Sequence, residues 1–290
     1  GEGGVDRDLQ LVLRQCEPVP RREFAIELGR RARHRLERLG LAAGALNVVS
    51  GGAQDITTFT ITSSVGGSNL PFVIGHAFKM GDVPSGTPIG GDTSLQATIK
   101  NTWPDGSAKF ALISGRKTLS AGVASTVTLR TNGSVTGGAA LTTADLKTAM
   151  AGQTCSIACG AFGTVSWATT DFDSPFVTHA SGPELSSWVY RKQVGSDAHL
   201  VGWIEVRLFV GGQVEVLPWI ENGYLNVASP TNKSATYTFT LGSTQRFSAA
   251  IDLPNHCRTP LVSGSLLSHW LSTDPGISAK HNATYLQATE

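Results

Sequence analysis

The stretch LVGWIEVRLFVGGQVEVLPWIE, residues 200–221, sets the expectation for how this chain folds. It contains two runs of alternating side chains joined by Gly211-Gly212, a pair typical of a two-residue hairpin loop. In that register Val210 faces Gln213 and Leu208 faces Glu215. The predicted core face of the hairpin then carries six apolar side chains: Ile204, Val206, Leu208, Val210, Leu217 and Trp219.

The opposite face of this hairpin mixes aromatic and charged side chains, with Trp203, Glu205, Arg207 and Phe209 along one strand. Such a face is either covered by another element or available to a ligand. Flat aromatic rings pack on the apolar faces of sugars, and charged groups bond hydroxyls, so Trp203, Glu205 and Arg207 are candidate glycan-binding residues. The same register separates Glu205 from Glu215, which disfavours that pair as the carboxylates of a glycoside hydrolase.

Short alternating runs rich in Thr, Ser and Val continue from Asn47 onward, with frequent turn signals between them. This alternating pattern predicts a mainly β fold, a β-barrel or sandwich. LTTADLKTAM, residues 141–150, predicts one short internal helix. Further strands are predicted at 56–64, 95–103, 107–114, 125–131, 186–194 and 235–242.

The N-terminal segment differs in composition from the rest of the chain. Residues 1–38 hold nine arginines, no lysine and seven acids, so 14 basic and 15 acidic residues remain for the other 252 positions. RREFAIELGRRARHRLERLGL, residues 21–41, predicts an amphipathic helix. That helix either docks on a partner or packs on its own domain with a solvated basic face. Its candidate partner-docking residues are Phe24, Leu28, Arg31, Arg35 and Leu36.

Composition and spacing argue against several classes of function. A net charge of +1 disfavours a body that binds nucleic acid through its phosphates. No run of 18 apolar residues occurs, so we expect no membrane partner. Cys155 and Cys159 have a spacing seen in zinc sites, which His179 or His199 could complete, but a second close pair of ligands is missing. We therefore predict no metal or other cofactor, and two free cysteines in the core.

WPDGSAKF, residues 103–110, sets a tryptophan, an acid and a lysine close together, as the wall of a catalytic cleft would. Its centre, Pro104-Asp105-Gly106, has the chemistry of a type I turn between two predicted strands. We interpret it as a hairpin corner in which Asp105 holds the turn. Asp171 and Asp173 are interpreted in the same way, as loop caps. No catalytic residue is predicted.

Together with PFVIGHAFKMGDVPSGTPI, residues 71–89, that corner resembles a known family. A Pro-Phe opening, a Gly-x-x-Phe strand end, Gly-Asp-Val-Pro and then Trp-Pro-Asp-Gly-Ser are similar to the N-terminal barrel domain of the rhamnogalacturonan exo-lyase-like family. The resemblance covers residues 50–290 by pattern, and its two motif blocks are the specific part. It implies a RIFT-type β-barrel, a module that also occurs in large bacteriophage structural proteins.

The resemblance implies a division of the chain and a role for it. In the lyases the chemistry belongs to a separate helical barrel, so no catalytic residue is carried over. Residues 1–45 have no counterpart in the family and are expected from their own composition to be a docking segment. Residues 46–270 would be the β-rich domain, and 271–290 an exit toward a following domain. The leading hypothesis is a non-enzymatic module of a phage tail, baseplate or fibre protein, located in the virion or outside the cell, that binds itself or other virion subunits through its N-terminal helix. The alternative is an accessory glycan-binding domain of a secreted polysaccharide lyase-like enzyme.

Overall fold

The computed structural model describes residues 52–223, 231–287 and 289, and this part of the chain is mainly β. The predicted N-terminal helix, with Phe24, Leu28, Arg31, Arg35 and Leu36, lies outside the described residues. In chain order the strands are β1 (Gln54–Ser63), β2 (Gly67–Ala77), β3 (Ile89–Gly91), β4 (Leu95–Thr102), β5 (Ala108–Leu119), β6 (Ser125–Thr131), β7 (Cys155–Cys159), β8 (Thr164–Trp167), β9 (Val177–Ala180), β10 (Leu185–Val194), β11 (Asp197–Phe209), β12 (Val214–Asn222), β13 (Lys233–Leu241), β14 (Thr244–Leu253), β15 (Cys257–Pro260), β16 (His269–Trp270) and β17 (Ile277–His281).

Four antiparallel sheets are built from these strands. The first two have the orders β17-β1-β6-β3 and β2-β5-β4. The other two have the orders β15-β12-β11-β10-β9, with β16 also paired to β12, and β14-β13-β7-β8. Because β17 pairs with β1, the end of the chain returns to the sheet in which the described part begins.

Each pair of sheets contributes to its own hydrophobic core. The first core includes Phe59, Phe72, Ile113 and Leu129, from both of the first two sheets. The second core is larger and takes its side chains from the other two sheets and from helix α1 (Thr143–Ala149). Burial of these apolar faces is the main favourable contribution to the stability of such a fold.

The predicted strands and the predicted internal helix are confirmed, with ends that shift by a few residues. The strand predicted at 125–131 has those bounds, and that at 107–114 extends to Leu119. Helix α1 begins with a capping box, in which the Thr142 hydroxyl accepts from the backbone N–H of Asp145 and the Asp145 carboxylate accepts from that of Thr142. A second short helix, α2 (Ala283–Gln287), follows β17 and is not predicted from the sequence.

The WPDGS corner is a hairpin turn, as predicted. It joins β4 to β5, with the backbone N–H of Gly106 donating to the carbonyl of Trp103 over 2.9 Å. The Asp105 carboxylate accepts from both the backbone and the hydroxyl of Ser107, at 2.9 and 2.6 Å. Lys109 extends along the returning strand, with its ammonium 4.3 Å from the centre of the Trp103 ring. Trp103, Asp105 and Lys109, which in the sequence suggest a catalytic cleft, thus stabilise the turn and its flanking strand.

A side-chain amide connects β4 to the start of β10. Gln96 Oε1 accepts from the backbone N–H groups of Glu184 and Leu185, each over 2.9 Å, and Nε2 donates to the Leu185 carbonyl over 2.8 Å. The Gln96 amide therefore hydrogen-bonds the backbone at the start of β10 in place of a neighbouring strand. Gly182 is required here, because a Cβ at that position would lie 2.2 Å from the Gln96 Cδ. Arg116 adds two bonds to the Glu184 carboxylate, at 2.9 and 3.2 Å.

The register of the hairpin 200–221 differs from the prediction by one residue. Arg207 pairs with Glu215, and Leu208 pairs with Val214. The loop has three residues, 210–212, closed by the bond from the Gly212 N–H to the Phe209 carbonyl, and both glycines have positive φ, at 92° and 84°. A shift of one residue moves every side chain of β12 to the other face, so Leu217 and Trp219 lie opposite the core.

Candidate functional site

The outer face of the β11–β12 hairpin brings the predicted glycan-binding residues together. Trp203, Glu205 and Arg207 lie along β11, and their cross-strand partners on β12 are Trp219, Leu217 and Glu215, respectively. Directly paired residues project from the same side of a sheet. The prediction that Glu205 and Glu215 lie on opposite faces is therefore wrong. Below, the outer face means these six residues.

Arg207 lies between the two carboxylates. Its Nε donates to Glu205 Oε1 over 2.8 Å, and Nη1 donates to Glu215 Oε2 over 3.2 Å. Both glutamates are buried and the guanidinium is mostly covered. A buried carboxylate is unfavourable unless a cation or hydrogen bonds compensate for its lost hydration, so this arrangement depends on Arg207.

Two further side chains complete this network. His179 Nδ1 donates to Glu205 Oε1 over 3.1 Å, and the Ser268 hydroxyl donates to Glu215 Oε1 over 2.5 Å. Burial alone would raise the pKa of Glu205. The hydrogen bond from His179 and the charge and hydrogen bond of Arg207 outweigh that effect and lower the pKa of Glu205 to about 2. Glu205 is therefore a carboxylate at neutral pH, and it does not hold a proton that it could donate to a leaving group.

A cavity of about 630 Å³ opens beside this network. Cavities of this volume accommodate small ligands such as one or two sugar rings. Carboxylate, guanidinium and hydroxyl groups lie among apolar side chains in its wall. Residues that define it are Arg207, Glu215, Leu217, Asp274, Leu266 and Trp270. Leu266 and Leu267 stand at its edge, and the Leu267 side chain is 83% exposed.

Trp203 lies in a cluster of aromatic rings and arginines. Its ring is parallel to that of Trp219, with centres 5.9 Å apart, and the edge of Phe176 meets it at 5.4 Å. The guanidinium of Arg258 lies 5.2 Å from the centre of Trp203, and that of Arg191 lies 5.4 Å from it. Trp203 is half-buried, whereas Phe176 is 54% exposed. Phe176 is therefore the most open ring of this cluster.

A second polar cluster joins the C-terminal strand to β2. His76 Nδ1 and His281 Nδ1 are 3.1 Å apart, and the Tyr285 ring stacks on His76 with centres 5.7 Å apart. The Tyr285 hydroxyl donates to Asp82 over 2.8 Å and accepts from the Lys79 N–H over 3.2 Å. Burial, and secondarily the neighbouring His281, lower the pKa of His76 to about 4. Burial also lowers the pKa of His281.

Cys155 and Cys159 are free and buried at the two ends of β7, as predicted. Burial raises the pKa of each thiol to about 12, so both stay protonated and unreactive at neutral pH. Within the residues that the structure describes, no group of three or more His, Cys, Asp or Glu side chains could hold a metal ion. Asp171 accepts from the Ala168 N–H over 2.9 Å and pairs with Lys192, which confirms its capping role.

The sequence reasoning missed Glu215, His179 and Ser268 as members of the network. For Glu215 a signal existed, because Val214, Val216 and Ile220 make an apolar set as good as Leu217 and Trp219. A three-residue loop would have placed that set in the core and Glu215 beside Arg207. His179 and Ser268 come from distant parts of the chain, and nothing in their local sequence indicates this contact.

No family model matches the chain, and no curated protein sequence shows significant similarity to it. Among the helices of the described ranges, none is both long enough and apolar enough to cross a lipid bilayer. The roles of the outer face and of the cavity are therefore inferred from their geometry and chemistry.

Proposed function

We propose that this chain is a non-enzymatic structural module of a larger bacteriophage virion protein, of the tail, baseplate or fibre, built on a RIFT-like β-barrel. In this role the β domain is a rigid support, and the Arg-rich N-terminal segment joins it to other subunits or to further copies of the chain. The resemblance of residues 71–89 and 103–107 to such modules motivates the assignment.

The observation that carries this proposal is the neutralisation of the charged groups on the outer face. Glu205 and Glu215 both bond Arg207, so neither carboxylate is presented as an acid, base or nucleophile. Cys155 and Cys159, the potential nucleophiles of the second core, are protonated thiols. Groups that could perform chemistry thus serve the fold, as expected of a support rather than a catalyst.

Removing residues 1–45 is expected to convert an assembling chain into a monomer. The apolar stripe that includes Leu28 and Leu36 would be the contact between copies, and its loss removes the apolar area that drives association. Multi-angle light scattering of the full chain and of residues 46–290 measures this directly.

A full-length variant, Leu28→Asp with Leu36→Asp, tests the stripe without shortening the chain. It should be monomeric under conditions in which the full chain assembles. The same number of copies per particle in all three proteins would contradict assembly through this segment, provided that circular dichroism shows the same β content in each.

A second candidate function, an accessory glycan-binding domain, is favoured by the cavity next to the outer face. Its wall offers Glu215, Asp274 and Arg207 to sugar hydroxyls, beside the apolar side chain of Leu217. Trp203 and Trp219 extend this face along the same two strands. Aromatic and hydrogen-bonding groups side by side are what a carbohydrate surface requires.

If the outer face binds glycans, Trp203→Ala is expected to weaken that binding by about fivefold or more, because an aromatic contact contributes about 1 kcal/mol. An array of neutral and acidic polysaccharides, followed by titration calorimetry on the best ligand, provides the measurement. Trp103→Ala is the matched control, since Trp103 is also half-buried but belongs to the β4–β5 turn. Absence of binding across the array, or equal losses in the two variants, would remove this candidate.

A further inference from the structure

We propose that the cavity beside Arg191 is a binding site for an oxyanion group, a carboxylate, sulfate or phosphate carried by a ligand. The cavity has a volume of about 410 Å³. Its wall is formed by β10 and by the turn that precedes β9. The residues that carry the argument are Thr170, Asp171, Ser174, Phe176, Arg191 and Lys192.

The orientation of Arg191 is fixed without the use of its N–H groups. Its guanidinium carbon lies 4.0 Å from the centre of the Phe176 ring and 5.4 Å from that of Trp203. Such stacking holds the plane of the guanidinium and leaves its edge donors free for a planar or bidentate acceptor. Within the described ranges no carboxylate pairs with Arg191, and its side chain is exposed. The donors of Arg191 are thus oriented and open.

Four of the five other arginines in the described part of the chain, all except Arg246, pair with a carboxylate. Arg116 pairs with Glu184, Arg130 with Asp55, Arg207 with two glutamates, and Arg258 with Glu221. Arg258 is the closest comparison, because it stacks on the same Trp203 ring as Arg191 but has Glu221 at 2.8 Å. The positive charge of Arg191 is therefore not balanced by a carboxylate, whereas the charge of Arg258, beside the same ring, is balanced by Glu221.

Further donors line the same cavity. Lys192 donates to Asp171 over 2.6 Å and to the Ser166 carbonyl over 2.7 Å, which leaves one of its three N–H bonds. Thr170 and Ser174, which each carry a hydroxyl, also line the cavity. One acid, Asp171, stands against two cations, so the wall has a net charge of +1. This balance favours a singly charged oxyanion, and the open face of Phe176 provides an apolar contact for the group that carries it.

The site adjoins the outer face, but it does not depend on either proposed function. The proposed site is tested by titrating the full-length chain with sodium sulfate, sodium phosphate and sodium acetate. In each titration the ionic strength is held constant with sodium chloride. Backbone amide shifts of residues 190–192 in NMR spectra report binding at the site. We expect saturable shifts with a dissociation constant of about 1–10 mM for at least one anion, the range for a single small ion.

Arg191→Gln is expected to weaken this binding by about tenfold or more, because it removes the charged fork that pairs with the anion. Arg258→Gln should leave it within about twofold, since that arginine is already paired. Arg191→Lys keeps the charge without the fork and provides a second variant if Arg191→Gln lowers stability. The anion with the strongest binding assigns the ligand to the carboxylate, sulfate or phosphate class. Shifts that do not saturate with any of the three anions, or equal losses in the Arg191 and Arg258 variants, would overturn the proposal.

Discussion

Replacing Arg207 with methionine is expected to lower the free energy of unfolding by about 3–5 kcal/mol, the range for breaking a buried ion pair from one side. The substitution leaves Glu205 and Glu215 buried with no cation between them. His179 and Ser268 still bond one oxygen of each glutamate, but neither replaces the guanidinium as a partner of both. Urea denaturation at pH 7, followed by tryptophan fluorescence, gives the difference.

A compensated variant separates the charge effect from the loss of packing. Combining Arg207→Met with Glu205→Gln and Glu215→Gln removes all three charges and is expected to recover at least half of the lost stability. Neutral amides need less compensation in a buried position than carboxylates do. If the triple variant is as unstable as Arg207→Met alone, the long arginine side chain stabilises the sheet by packing and the network interpretation is wrong.

The class of the fold was accessible from the sequence, whereas the composition of the candidate site was not. Strands β1, β4, β6 and β13 follow from alternating patterns that depend only on local side chains. The register of β12 could not be settled in this way, because both of its alternating sets contain large apolar side chains and the loop chemistry of Gly211-Gly212 permits two or three residues. One residue of difference decided whether Glu215 meets Arg207.

Contacts between distant parts of the chain form the other class of feature that the sequence did not reveal. Gln96 and Leu185, or His76 and His281, are brought together by the order of the strands in the sheets. A lone glutamine or histidine on an alternating strand carries no local sign of such a partner. The predicted residues Trp203, Glu205 and Arg207 do share a face, because alternation within one strand is a local property.

Lowering the pH from 6.5 to 4.5 is expected to reduce the free energy of unfolding by roughly 2 kcal/mol through His76 alone, at about 1.4 kcal/mol per pKa unit. The folded state lowers the pKa of His76 from 6.5 to about 4. Below pH 6.5 the unfolded chain therefore binds a proton that the folded chain does not yet bind. His76 is only 1% exposed, so water does little to screen this effect. The stability is present above pH 6.5 and is lost as the pH falls toward 4.

His76→Phe tests the assignment, because a phenyl ring can keep the edge-to-face contact with Phe78 and the stacking with Tyr285 but cannot bind a proton. Urea denaturation at intervals from pH 7 to pH 4.5 should show a clearly smaller loss of stability in this variant.

Some dependence of stability on pH will remain in the variant, since burial lowers the pKa of His281 and of His269 as well. Lys79 and Asp82 contact Tyr285 rather than His76, and burial raises the pKa of Tyr285, so its hydroxyl stays protonated over this range. The stabilising charge of Glu205, whose pKa is about 2, is lost only below pH 4.5, outside the measured window. Equal slopes in the two proteins would mean that His76 binds its proton in the folded state as readily as in the unfolded state, with its Nδ1–H donating to the neutral His281. The histidine pair would then not make the stability depend on pH.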